Sequence, residues 1–162
     1  MDGRGPVTEA AKPVAQELRL RRVTRENSDG LEEMAQEFHA LGETPLGLAL
    51  SDREAFFDEI DWFERGEDLP ADRVRMSWFW LCRGERLLGS SRLRHRLIPV
   101  LELDGGNIGY EMRPSERRQG FGKELLRLTL DEARAIDLSR VLLAAEPTKH
   151  IAFPQRRRSK TR

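Results

Sequence analysis

Six residues, Arg117-Arg118-Gln119-Gly120-Phe121-Gly122, stand between a strand-like segment and a long amphipathic helix, and they constrain the chain more than any other stretch. A helix start leaves its first backbone N–H groups without intrahelical partners, and the macrodipole adds partial positive charge there. An anion is therefore favoured at this point. Gly120 and Gly122 let a backbone approach a phosphate closely and allow φ > 0 if the loop curls. Arg117 can add a forked pair of charge-assisted bonds. The ligand this predicts is a pyrophosphate, which narrows function to nucleotide-like cofactors. Two familiar phosphate loops do not fit. A Walker loop needs Gly where Arg117 stands, and Ser or Thr where Glu124 follows Lys123. A dinucleotide fingerprint needs a third Gly near Leu125, although Glu146 lies at a plausible distance for its ribose acid.

The chain has 162 residues, enough for one domain with a real core. Lys plus Arg and Asp plus Glu are 28 each, so the zero net charge gives no nucleic-acid signal. The balance is uneven along the chain. Residues 147–162 hold six Lys and Arg and no acid, so the rest is acidic by the same number. A single cysteine, Cys82, excludes an internal disulfide and fits a reducing, cytoplasmic setting. No apolar run has the length of a signal peptide or a membrane span, so a soluble protein is expected.

Residues 1–17, rich in Ala, Pro, Gly and charge, read as a flexible leader. A first strand is expected at about 18–24, from Leu18, Leu20 and Val23 among arginines. Asp29 with Glu32 reads as a helix cap, followed by an apolar stripe of Leu31, Met34, Phe38 and Leu41 that Gly42 stops. Ser51 with Glu54 reads as a second cap, followed by Phe56, Ile60 and Phe63 on one face. The period then becomes two. Residues 77–82 and 87–97 form an antiparallel hairpin about Arg83-Gly84-Glu85-Arg86, and 98–103 extends or follows it. Residues 107–112 make the next strand. Gly122, Leu125, Leu126, Thr129, Leu130, Ala133 and Ile136 then mark a helix of about five turns by their spacing. Residues 141–145 read as a short buried strand, parallel to its predecessor if the connection is a right-handed crossover. The expected class is α/β with a mixed, mostly antiparallel sheet flanked by helices.

This order, with Met112-Arg113-Pro114 leading into Arg117-x-x-Gly120-x-Gly122 and Leu125-Leu126, closely resembles the GNAT family of N-acetyltransferases. The segment Leu88-Gly89-Ser90-Ser91-Arg92-Leu93 is similar to that family's strand carrying V-G-x-x-x-L. The resemblance covers about residues 18–146, expected to be the acetyl-CoA-binding domain, and is specific at 108–126. It implies acetyl-CoA as cofactor and acyl transfer to an amine of an unidentified acceptor. Residue by residue, it implies that Arg117, Arg118, Gln119, Gly120, Phe121 and Gly122 bind the pyrophosphate mainly through backbone amides, with Lys123 extending the loop. The backbone of Met112 and Arg113 would pair with the pantetheine arm, like an added strand. A backbone N–H near Tyr110 to Met112 would face the thioester oxygen. Candidate bases are Glu111, Glu102 and His95, with Glu111 first because it adjoins the acetyl position. The bland alternative makes the two acids strand-surface groups and the histidine one polar residue on an Arg-rich strand.

Beyond Ala145 the family pattern breaks. Glu146-Pro147-Thr148 resembles the start of the family's next loop, but the Asn and Tyr of its following helix and the two closing strands have no counterpart. The basic, atypical tail at 147–162 is expected to be a frameshift or truncation near Thr148, an inert terminus, or a basic patch. The alternative to an active enzyme is a truncated remnant that binds coenzyme A or serves as an interaction module. Without closing strands, 141–145 would be an exposed sheet edge, making homodimerisation possible. Trp78, Phe79 and Trp80 read as core on both sheet faces, and Trp62 with Phe56, Phe57 and Phe63 as a core stripe before an acceptor pocket. Arg92, Arg94 and Arg96 alternate on one strand face, read as solvated rather than as an acceptor site. The scattered His39, His95, His150 and Cys82 make no metal site.

Overall fold

The computed structural model describes residues 16–143. Within them the order is β1 (Leu18–Arg22), α1 (Leu31–Ala40), a 3₁₀ turn (Gly47–Ala49), α2 (Arg53–Arg65), β2 (Met76–Arg83), β3 (Arg86–Arg94), α3 (Pro99–Leu103), β4 (Ile108–Met112), a 3₁₀ turn (Pro114–Glu116) and α4 (Phe121–Ala135). The four strands form one sheet in the order β1-β2-β3-β4, antiparallel at every step.

Alternation along β2 builds a layer on each face of this sheet. Trp80 and Cys82 point to one side, where they meet Leu31, Met34 and Phe38 of α1 and Phe56, Phe57 and Ile60 of α2. Phe79 and Leu81 point to the other, against Leu125, Leu126 and Ala133 of α4. The aromatic run thus packs on both faces, and Phe63 is buried with it. On the α4 side, Ser91 Oγ lies 2.8 Å from Thr129 Oγ1, itself donating to the Leu125 carbonyl at 2.8 Å. With the Thr129 proton committed to that carbonyl, the buried Ser91 hydroxyl donates to Thr129, which ties the rotation of α4 to the sheet.

β3 carries a bulge. Leu81 pairs with Gly89 but Cys82 pairs with Leu87, leaving Leu88 as the extra residue. Leu88 consequently shares the α4 side with Gly89, the partner of Leu81, while Leu87 keeps the α1 and α2 side with Cys82. Gly89 is required by the same crowding. A Cβ there would sit 2.6 Å from the Glu111 carbonyl oxygen and 3.0 Å from Met112 Sδ.

Several expected boundaries move. The cap of α1 is Gly30 in the left-handed region at φ 80°, with no side-chain bond, in place of Asp29. The cap of α2 is Asp52, whose side chain accepts from the Ala55 N–H at 3.0 Å, in place of Ser51. Leu41 lies past the end of α1 and is 57% exposed. Residues 99–103 are the short helix α3, since Pro99 suits a first turn and cannot feed a ladder. α4 runs 15 residues, about four turns. Of the expected strand at 141–145, the described residues show two isolated bridges at Leu143, antiparallel to Gly106 and parallel to Ile108, beside a four-stranded sheet that is antiparallel at every step. There the Asn107 side chain takes the Leu142 N–H at 2.9 Å, anchoring the segment by one residue rather than by a ladder. Leu142 and Leu143 are exposed. Ala144, Ala145, the 147–162 tail and residues 1–15 of the leader lie outside the described residues.

Gly89→Ala tests the bulge. Overpacking against backbone should cost about 1–3 kcal/mol, read as a lower urea midpoint with unchanged slope.

Candidate active site at the β4 edge

The site begins with the hydrogen-bond parity of β4. Arg94 N–H donates to the Asn107 carbonyl at 2.7 Å and Arg113 N–H to the Leu88 carbonyl at 2.8 Å. Alternation between these ends turns the backbone groups of Gly109 and Glu111 toward β3 and those of Tyr110 and Met112 outward. Among the described residues, no strand pairs with that outer edge beyond the bridge at Ile108. Arg113 belongs to the inner set, and its carbonyl accepts from Glu116 N–H at 2.8 Å. Its backbone is therefore spent internally, which corrects the expected pairing of Met112 and Arg113 together with an added arm. Only Met112 keeps the outward geometry.

The loop that follows is held by acids that sequence reading did not single out. The Arg113 guanidinium, 5% exposed, meets Glu37 at 2.8 Å and Glu33 at 3.6 Å, both on α1. Glu37 also accepts the Ser115 N–H at 3.0 Å, and these bonds hold its carboxyl below the usual range despite the opposing pull of burial. Buried Glu116 accepts from Arg86 Nε at 2.6 Å. Arg117 forks onto Glu43 at 3.1 and 2.6 Å, while its Nε reaches the Met112 carbonyl at 3.1 Å. The fork expected to hold a phosphate thus holds a carboxylate. The spacing of Glu33 and Glu37 was visible as one helix turn, but nothing local tied it to residues nearly eighty positions away.

The helix start itself is bare. Gly120 caps α4 at φ 83° without a side-chain bond, and nothing lies within 4 Å of where its Cβ would be. Arg118, also left-handed at φ 62°, Gln119 and Lys123 are exposed beside it. Gln119 Nε2 reaches Glu116 at 3.3 Å. Phe121 lies under the Arg83 guanidinium, 5.0 Å from its ring centre. The α-carbon of Gly122 faces Met112 Cγ and Tyr110 Cε2 at 3.5 and 3.8 Å from its ideal Cβ position. The uncapped helix start and the outer edge of β4 are therefore contiguous.

On the α1–α2 face of the sheet, Glu111 pairs with Arg92 and accepts from Ser90 Oγ at 3.3 Å. Arg92 also lies over the Trp78 ring, 5.2 Å from its centre. Arg94 donates to the carbonyls of Gly105 and Gly106 at 3.3 and 3.1 Å. Burial, and Arg92 after it, lower its proton affinity. Arg92 and Arg94 are thus embedded, contrary to the expected solvated face, because the segments at 45 and 105–106 cover them; Arg96 is exposed. Of the other candidate bases, Glu102 sits on exposed α3, and His95 lies 2.8 Å from Ser77 Oγ at the end of β3. Burial, with Arg75 second, pushes the His95 imidazole below its ordinary range. Beside Glu43, a cleft of about 370 Å³ opens between α1 and the 43–51 connection, lined by Phe38, Pro45, Leu46 and Leu50. Among the described residues there is no cluster suited to a metal ion, and no helix long and apolar enough to cross a membrane.

The structure is thus an antiparallel sheet with helices on both faces, whose last strand leaves an edge beside an uncapped, glycine-started helix. The Acetyltransferase (GNAT) family matches residues 31–156, most of the chain, and the protein belongs to that family. Acetyl transfer is accordingly its general activity. A search of curated proteins finds no match.

The lowered His95 sets a pH dependence. The unfolded chain takes up a proton near pH 6.5 and the folded chain only below it, so stability should fall as pH drops through about 6.5. Melting curves between pH 5 and 8 should show a shallower dependence in His95→Gln.

Proposed function

We propose that the protein is an N-acetyltransferase that takes its acetyl group from acetyl-CoA and gives it to an amine of an acceptor yet to be found. The observation that carries this is the contiguity of the uncapped α4 start with the outward edge at Tyr110 and Met112. A fitting ligand has a dianionic end and an extended amide-bearing arm, which is the shape of coenzyme A. The N–H groups at Phe121, Gly122 and Lys123 point at the anionic end, and Arg118 and Lys123 supply the nearby cations. The outward N–H of Tyr110 or Met112 orients the arm and the acyl oxygen by strand-like bonding. Acetyl-CoA supplies a thioester carbonyl as electrophile.

For the chain's own residues, the remaining work is to hold an amine in line and remove one proton. Glu111 is the proposed acceptor of that proton. Arg92 and Ser90 orient its carboxylate beside the β4 edge. The family match runs across the helices, the hairpin and the phosphate loop, which favours the enzyme over an inactive remnant. A cytoplasmic setting fits the single buried, unreactive Cys82, whose thiol is pushed up by burial.

Two measurements test this. Acetyl-CoA should raise the melting temperature of the full chain, and Gly120→Asp should abolish the rise, because it places a side chain and a negative charge at a left-handed position facing the anion. An unchanged rise would remove the phosphate loop from the site. Thiol release from acetyl-CoA over a panel of primary amines should identify an acceptor. Glu111→Gln should then lower kcat by about 10²–10⁴ with the KM for acetyl-CoA little changed; full activity would rule out Glu111 as base.

A further inference from the structure

We infer that Glu43 is a positioning residue for cofactor binding, holding the phosphate loop through Arg117 rather than leaving Arg117 to grip the phosphate. The inference rests on the reading of residues 117–123 as the acetyl-CoA phosphate loop. Arg117 makes three bonds: two to Glu43 at 3.1 and 2.6 Å, and one from Nε to the Met112 carbonyl at 3.1 Å. Its guanidinium also lies over Phe38 of α1, 5.7 Å from the ring centre. Three of the five N–H donors of the planar fork, including one on each nitrogen, are thus directed into the protein. Both side chains are only 32% exposed, so the pair is shielded from full solvent screening.

The consequence lies in what the fork connects. One end fastens an outward carbonyl of β4, the edge along which an amide-bearing arm would lie. The other fastens the connection between α1 and α2. The backbone of Arg117 leads directly into the left-handed Arg118 and Gly120 that aim the α4 N–H groups. With Glu37 on Arg113 and Ser115 N–H, Glu43 completes a second acidic clamp on the turn before α4. The loop is therefore set before any anion arrives, and affinity depends on that setting more than on an arginine charge. Because Glu43 also lines the 370 Å³ cleft, the same pair joins the phosphate loop to the cavity beside it.

The sign of one substitution separates this from the obvious rival. If Arg117 were a phosphate ligand held in check by Glu43, Glu43→Gln would release it and tighten binding, and Arg117→Lys would keep much of the affinity. If Glu43 positions the loop, Glu43→Gln, Arg117→Gln and Arg117→Lys should each weaken acetyl-CoA about ten-fold, with KM rising and kcat largely kept. The double variant Glu43→Gln/Arg117→Gln should be no weaker than either single. Titration calorimetry and steady-state kinetics on the full chain read these effects. Tighter or unchanged binding in Glu43→Gln would overturn the inference. Hydrogen exchange in the free protein gives a ligand-independent arm: the amides of residues 118–123 should exchange faster in Glu43→Gln. Faster exchange in a chain that binds no acetyl-CoA would sink the cofactor reading and leave the positioning role standing. Unaltered exchange would sink the positioning role whatever the ligand.

Discussion

Arg113 is a charged side chain buried at the end of β4, and much of the site rests on how its charge is compensated. Burying a guanidinium is tolerated only when it is paired and its donors are satisfied. Glu37 and Glu33 supply the charge, and the Leu87 carbonyl accepts from it at 3.3 Å. The acids sit one turn apart on α1, so this single cation fixes the distance between that helix and the turn preceding α4. Removing Glu37 would leave this buried cation with the exposed Glu33 as its remaining carboxylate, a larger cost than the roughly 0–1 kcal/mol of the exposed pairs along α4. The turn at Pro114–Glu116, the Arg117 fork and the aim of the α4 amides all follow from that anchor.

Local features of the sequence reveal most of the architecture. The two-residue period at 77–82, the turn at Gly84 and the spacing from Leu125 to Ala133 each depend on neighbours within a few residues, and each element stands where that logic places it. The aromatic run was legible for the same reason, since alternation alone sends Trp80 and Phe79 to opposite layers. The glycine pair at 120 and 122 announced the helix start. The family resemblance rests on this same stretch.

What was not legible is long-range pairing. No rule of spacing assigns Arg117 to Glu43 or Arg113 to Glu37, because those partners meet only after three strands have folded between them. The arginine before the glycine pair therefore read as a ligand for a phosphate, when its geometry serves the Glu43 carboxylate. The embedded Arg92 and Arg94 were missed in a similar way. An alternating cationic strand face looks solvated until the loops that cross it are known. Even the caps show the limit: Asp52 and Gly30 displaced their polar neighbours by one residue, a difference decided by the path of the incoming chain.

The bulge at Leu88 has an implication for how this hairpin can change over time. On its Gly89 side, the parity of β3 is locked to both β2 and β4; on its Leu87 side, it is locked to the core beneath α1. The two phases are incompatible without the extra residue. A strand of this kind works as a dislocation in an otherwise regular lattice, and insertions or deletions cannot glide through it. Length variation between relatives should accordingly collect at the hairpin tip and the loops outside the sheet, while the count of residues from Arg86 to Arg94 stays constant.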